Sequence, residues 1–134
     1  MGILTRGITE LVMTFVSPAT QVADAHVAAQ RLPAGPGWWL KDIRAKLLVA
    51  GVTGAQAVDI NNELTTLLGS TKISFATTSK TPTYPTLGVV KADGGDMISM
   101  DIDTIHSGTA AEGLVVELVW TRISQAGVTN TGAE

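Results

Sequence analysis

Asp101 and Asp103 stand two residues apart in Gly95-Asp96-Met97-Ile98-Ser99-Met100-Asp101-Ile102-Asp103, and in an extended chain that spacing sends both carboxylates to one face. Such a pair can divide acid and base roles in glycoside hydrolysis, or hold a hard cation such as calcium. Asp93, Asp96 and Asp59 could add oxygen ligands if their loops converged. The spacing of Asp93-Gly94-Gly95-Asp96 is not that of an EF-hand loop, however, and aspartate beside glycine is ordinary turn chemistry. Acids that work on sugars also need a cleft lined with aromatics, and three Trp, two Phe and one Tyr must serve both cleft and core. Asp101 and Asp103 therefore read as the solvated face of an amphipathic strand.

The other reactive side chains lead to the same expectation. His26 and His106 lie in separate segments, and no cysteine is present to complete a tetrahedral metal set. Asp103, His106 and Ser107 are near neighbours at a strand end and point in different directions, and no Gly-x-Ser-x-Gly elbow occurs. Gly51-Val52-Thr53-Gly54 and Gly94-Gly95 lack the helix and Lys-Thr of a phosphate cradle. Lys41, Arg44 and Lys46 form a small basic stripe on one strand, suited to solvent or to an acidic protein. The sequence thus predicts no catalytic residue, no metal and no cofactor, and a protein that is not an enzyme.

Composition narrows the partners. With 134 residues, 45% hydrophobic and 16% charged, the chain can bury one core and suits a single globular domain. A net charge of -3 offers no basic field for phosphates, so nucleic acid is not an expected partner. The longest apolar runs fall far short of the roughly 20 residues a membrane-spanning helix needs. The first residues carry neither a secretory pattern nor a myristoylation motif, since Arg6 stands where Ser or Thr is required, so no membrane attachment is expected.

The elements that position these residues are strands. From Thr9 to Val16, Leu11, Met13 and Phe15 share one side while Val12 and Val16 blur the alternation, which predicts a strand buried on both faces or paired with another chain. Ser17-Pro18-Ala19-Thr20 is expected to break it. Gln21 to Leu32 is alanine-rich and reads as extended, with a helix as the competing reading. Pro33-Ala34-Gly35-Pro36-Gly37 is a loop. Trp38 to Ala50 is a long strand whose inward positions are Trp39, Ile43, Ala45, Leu47 and Val49. Ala55 to Asn61 and Lys72 to Ala76 are further strands, Leu64 to Leu68 closes a hairpin or makes one helical turn, and Thr77 to Thr86 is a long surface loop.

Ile98, Met100 and Ile102, then Leu114, Val116, Leu118 and Trp120, alternate along two strands that read as one wall. About eight such strands without a convincing helix predict an all-β fold, a two-sheet antiparallel sandwich of jelly-roll type. The expected organisation is a strand or arm over 1–20, the sandwich over 21–123, and a flexible tail over 124–134. Trp39 and Trp120 are expected to fill the core, with Trp38 at an edge or interface.

Trp38-Trp39-Leu40-Lys41-Asp42-Ile43-Arg44-Ala45, Thr53-Gly54-Ala55-Gln56-Ala57-Val58-Asp59-Ile60-Asn61, Gly95 to Asp103 and Gly113-Leu114-Val115-Val116 follow one another in this order. Over roughly residues 38 to 122 the chain resembles small virion proteins of tailed bacteriophages, jelly-roll-like sandwiches found as head decoration proteins, head fibres or tail-associated domains. The resemblance implies a structural role on the capsid surface, often as a homotrimer, with the major capsid protein as partner and manufacture in the host cytoplasm. Contacts would come from residues 1–20 through Leu11, Met13 and Phe15, and from Trp38. A tail or fibre module that binds host glycan is the alternative, with the loops Thr77–Thr86 and Ser107–Glu112 forming the site and Trp38 or Tyr84 stacking on the sugar.

Overall fold

The structure, a computed structural model, describes residues 10–124. It contains nine strands and, among the described residues, no helix: β1 (Glu10–Thr20), β2 (Asp24–Arg31), β3 (Trp38–Val49), β4 (Gln56–Asn62), β5 (Thr65–Thr66), β6 (Ile73–Phe75), β7 (Lys91–Ala92), β8 (Met97–Thr104) and β9 (Glu112–Thr121). The first nine residues and the expected tail beyond Ser124 lie outside the described residues.

The pairing explains the fold. β1 pairs with β9, β2 with β8, β3 with β7 and β4 with β6, all antiparallel, so the chain is one long hairpin with its tip around β5. Wrapping that hairpin brings β9 against β3 and β8 against β4. Two sheets result, ordered β1-β9-β3-β7 and β2-β8-β4-β5, with β6 also on β4. This is the jelly-roll arrangement. It places β8 and β9 in opposite sheets, although their shared alternation suggested one wall. Ile98, Met100 and Ile102 therefore meet Leu114, Val116, Leu118 and Trp120 across the core, and all seven are buried.

Two further expectations are corrected. β3 buries Trp38 and leaves Trp39 half-exposed, because the register against β9 slips between Leu40 and Asp42. One extra residue in a strand inverts the phase before it. Even positions Trp38 and Leu40 point inward before the slip, odd positions Ile43, Ala45 and Leu47 after it, and Val49 is exposed. Secondly, β1 runs through Pro18 to Thr20. The break becomes a shift of register between Ser17 and Thr20 on an edge strand, where a missing N–H costs no ladder bond. Of the two readings of the N-terminal segment, strand or arm, residues 10–20 take the first and form an integral strand along β9.

Trp38 organises the loop before it. Its indole Nε1 donates to Pro33 O at 3.1 Å, and the Arg122 guanidinium lies 3.7 Å from its ring centroid. Arg122 then donates to Pro36 O at 2.6 Å and Ala34 O at 3.2 Å. On the loop's other side the Gly94 backbone approaches so closely that a Cβ would stand 2.5 Å from Gly35 N and O. Arg122→Ala is expected to cost about 1–3 kcal/mol, from lost charge-assisted hydrogen bonds and cation–π contact. Denaturant titration measures the loss, and hydrogen exchange should quicken in 33–37 before the sheets.

Candidate interaction surface

The carboxylates are used inside the fold. Asp101 Oδ1 accepts from His26 N at 2.7 Å and its Oδ2 from Asn61 Nδ2 at 2.8 Å, which ties the distorted part of β2 to β8 and β4. Asp59 Oδ1 accepts from Thr66 Oγ1 at 2.6 Å and Ile60 N at 2.9 Å, and its Oδ2 meets Lys72 Nζ at 3.0 Å. Asp96 Oδ2 accepts from Asp93 N at 2.8 Å and Asn62 Nδ2 at 2.9 Å, closing the turn before β8. Among the described residues no group of three or more His, Asp or Glu side chains is placed to hold a metal ion.

Asp103 differs, because it has solvent but no such donors among its hydrogen bonds. Desolvation first, then repulsion from Asp59 and Asp101 against the attraction of Lys72, raises its carboxyl above the ordinary 3.8. A raised native pKa means that folding favours the protonated acid, so its penalty grows as pH rises from the unfolded value through the native one. Asp103→Asn is expected to raise the melting temperature at pH 7, with the gain vanishing below about pH 3.8. Asp96 has the opposite sign: its hydrogen bonds from Asn62 and Asp93 lower its carboxyl, so its stabilisation is lost as pH falls. Melts across pH 3 to 8 measure both, and a pH-independent Asp103→Asn difference contradicts the assignment.

The histidines stay apart. His26 Nδ1 lies 3.8 Å from Asp101 Oδ1 on the outer face of the β2 sheet, whereas His106 is buried with Nε2 3.2 Å from Ala76 O. The loops Thr77–Thr86 and Ser107–Glu112 do meet around Gly51–Gly54, through Thr53 N to Thr77 Oγ1, Thr78 N to Gly51 O and the Val52–Thr109 bridge. The aromatic side chains assigned to the site do not lie where the two loops meet. Trp38 begins β3 and Gly51 follows its end, about 40 Å away along a twelve-residue strand. Tyr84 packs against the core, and its hydroxyl donates to Ala45 O at 3.2 Å while accepting from Ala45 N at 2.8 Å. Burial first, and the nearby Asp42 charge, raise its phenol pKa against the lowering effect of the Ala45 hydrogen bond.

The residues expected to touch partners face inward. Met13, Phe15 and Trp38 are buried, and Leu11 packs against the same core. Their outward neighbours take that place. Val12 is 52% and Val16 49% exposed, in line across the sheet with Val119 and Val115 of β9. On β3 the outward row is Arg44, Lys46 and Leu48, the last 65% exposed. Arg44, Ala45, Lys46, Val115 and Glu117 line a groove of about 260 Å³ on this face. Glu10 pairs with Lys41, and Arg44 Nε lies 3.3 Å from Asp42 Oδ2, so charges rim the apolar positions.

This face was signalled by Val12 and Val16, the two residues that spoil the alternation of β1. Apolar side chains on the outer side of an otherwise regular strand give that face an apolar row, here Val12 and Val16. No protein-family model, no curated protein and no solved structure matches this chain.

Proposed function

We propose that the protein is a structural component of a tailed-bacteriophage virion, a decoration protein that sits on the assembled head and bridges neighbouring major capsid subunits. The observation that carries this reading is the outer face of the four-stranded sheet, where Val12, Val16, Val115 and Leu48 lie among Arg44, Lys46 and Glu117. Binding another protein requires an apolar patch with a polar rim on a preorganised wall, and no cleft. The order of motifs from Trp38 to Arg122 supports the phage context. Asp59, Asp96 and Asp101 are consumed as internal acceptors, which leaves them poorly placed for catalysis. The jelly roll itself hosts many functions and adds no weight.

The glycan-binding reading is weaker on this structure. Stacking on a sugar needs an exposed aromatic at the loop tip, and Trp38 and Tyr84 are both committed elsewhere. Particles of the encoding phage, separated into heads and tails, test the proposal. The protein is expected with the heads, on their outer surface; recovery with the tails, or from neither fraction, contradicts it.

A further inference from the structure

The ends of the two sheets are not alike. β5 and β7 are two residues each and β6 is three, while β2 is distorted by a register break between Asp24 and Ala28 with His26 at φ 54°. Short or distorted strands are how sheets protect their edges from pairing. β1 has no such protection over most of its length. Its register against β9 is unbroken from Glu10 to Ser17, and no residue from Leu11 to Ser17 is charged. Among the described residues no strand pairs with its outer edge.

The direction of its backbone groups follows from bonds two strands away. Ala45 N and O turn from β9 to the Tyr84 hydroxyl, so Arg44, next along β3, bonds towards β9 at its partner Glu117. Glu117 then turns from β1, and Thr14, opposite it, presents N–H and C=O to the free edge. Gln30 Nε2 of β2 reaches Thr14 O from that side, as this geometry requires. Val12 and Val16 share the direction.

The free row Val12, Thr14, Val16 reads the same from either end. We infer that β1 pairs antiparallel with β1 of a second copy, about a two-fold axis through Thr14. Thr14 then lies opposite the partner's Thr14, and Val12 opposite the partner's Val16. About six backbone hydrogen bonds form, and the β-branched side chains meet like with like across the axis. Thr14 O keeps a second lone pair for the incoming N–H while Gln30 holds the first. The self-complementary row selects a second copy over an unrelated strand, and a two-fold over the three-fold assembly that the phage resemblance implies. The pairing does not depend on what else the protein binds.

Sedimentation velocity of the full chain over about 1–200 μM, a range suited to a weak to moderate dimer, gives the first test. The wild type is expected at twice the 13.9 kDa chain mass. Thr14→Lys and Thr14→Glu each oppose like charges on the axis and should be monomeric, and their equimolar mixture should return to dimer. Thr14→Cys in this cysteine-free chain should form an interchain disulfide under mild oxidation, whereas Ser70→Cys in an exposed loop should not. A monomeric or trimeric wild type overturns the inference. So does a mixture that stays monomeric while both variants melt as folded proteins.

Discussion

Trp120→Ala is expected to cost about 3–5 kcal/mol, a large part of the roughly 5–15 kcal/mol that holds a domain of this size together. Trp120 is completely buried on β9, between Leu11 of β1 and Leu40 of β3, and faces the opposite sheet. The cavity left by alanine would lie at the centre of a rigid two-layer core that relaxes little. Trp120→Phe should cost much less, because the indole Nε1 has no hydrogen-bond partner and its removal leaves nothing unsatisfied. Trp38→Phe should cost more than Trp120→Phe, since it strips Pro33 O of its donor and weakens the platform under Arg122. Equilibrium denaturation of the three variants measures this order; an equal loss in both phenylalanine variants contradicts it.

Gly51→Ala is expected to destabilise by about 1–3 kcal/mol or more, the range for forcing atoms into a filled site. A Cβ at Gly51 would stand 2.1 Å from His106 Nδ1 and 2.3 Å from its Cγ. The ring is buried and its Nε2–H is held by Ala76 O, so it cannot swing aside cheaply. Gly51 O also accepts from Thr78 N, so backing the glycine away would pull on the neighbouring loop. His106→Ala makes room for the methyl. The double variant should therefore be more stable than the sum of the single losses predicts, and strict additivity in that cycle would falsify the steric explanation.

What could be read from the chain was local and periodic. The alternation of Ile98, Met100 and Ile102, and of Leu114 to Trp120, identified core residues correctly, because a pleat sends alternate side chains to one face wherever the strand lies. It could not say that β8 and β9 lie in different sheets, since pairing is decided by residues some 65 to 110 positions away at the other end of the hairpin. The exchange of Trp38 and Trp39 came from one slip of register near Lys41, which leaves no mark in composition. Pro18 misled because proline breaks an interior strand but is tolerated at an irregular edge.

The candidate surface was legible in part. Val12 and Val16 stood out as exceptions to the inward pattern, and pairing with another chain was one of the two explanations for them. The predicted contacts Leu11, Met13, Phe15 and Trp38 were apolar and turned out to be core, for hydrophobicity alone does not distinguish a core face from a contact face. Tyr84 sits in a Thr- and Pro-rich stretch that reads as free loop, and only its hydroxyl contacts with Ala45 show that it anchors this stretch to β3.

Cosedimentation with assembled heads tests the central claim most directly. Wild-type protein should pellet with heads lacking it, and should remain in the supernatant with unassembled major capsid protein. A Lys46→Glu, Leu48→Asp double variant, altered only at outward positions of β3, should stay in the supernatant while melting as a folded protein. Wild-type protein that ignores assembled heads, or binds free capsid subunits equally well, would contradict a role in holding the shell together.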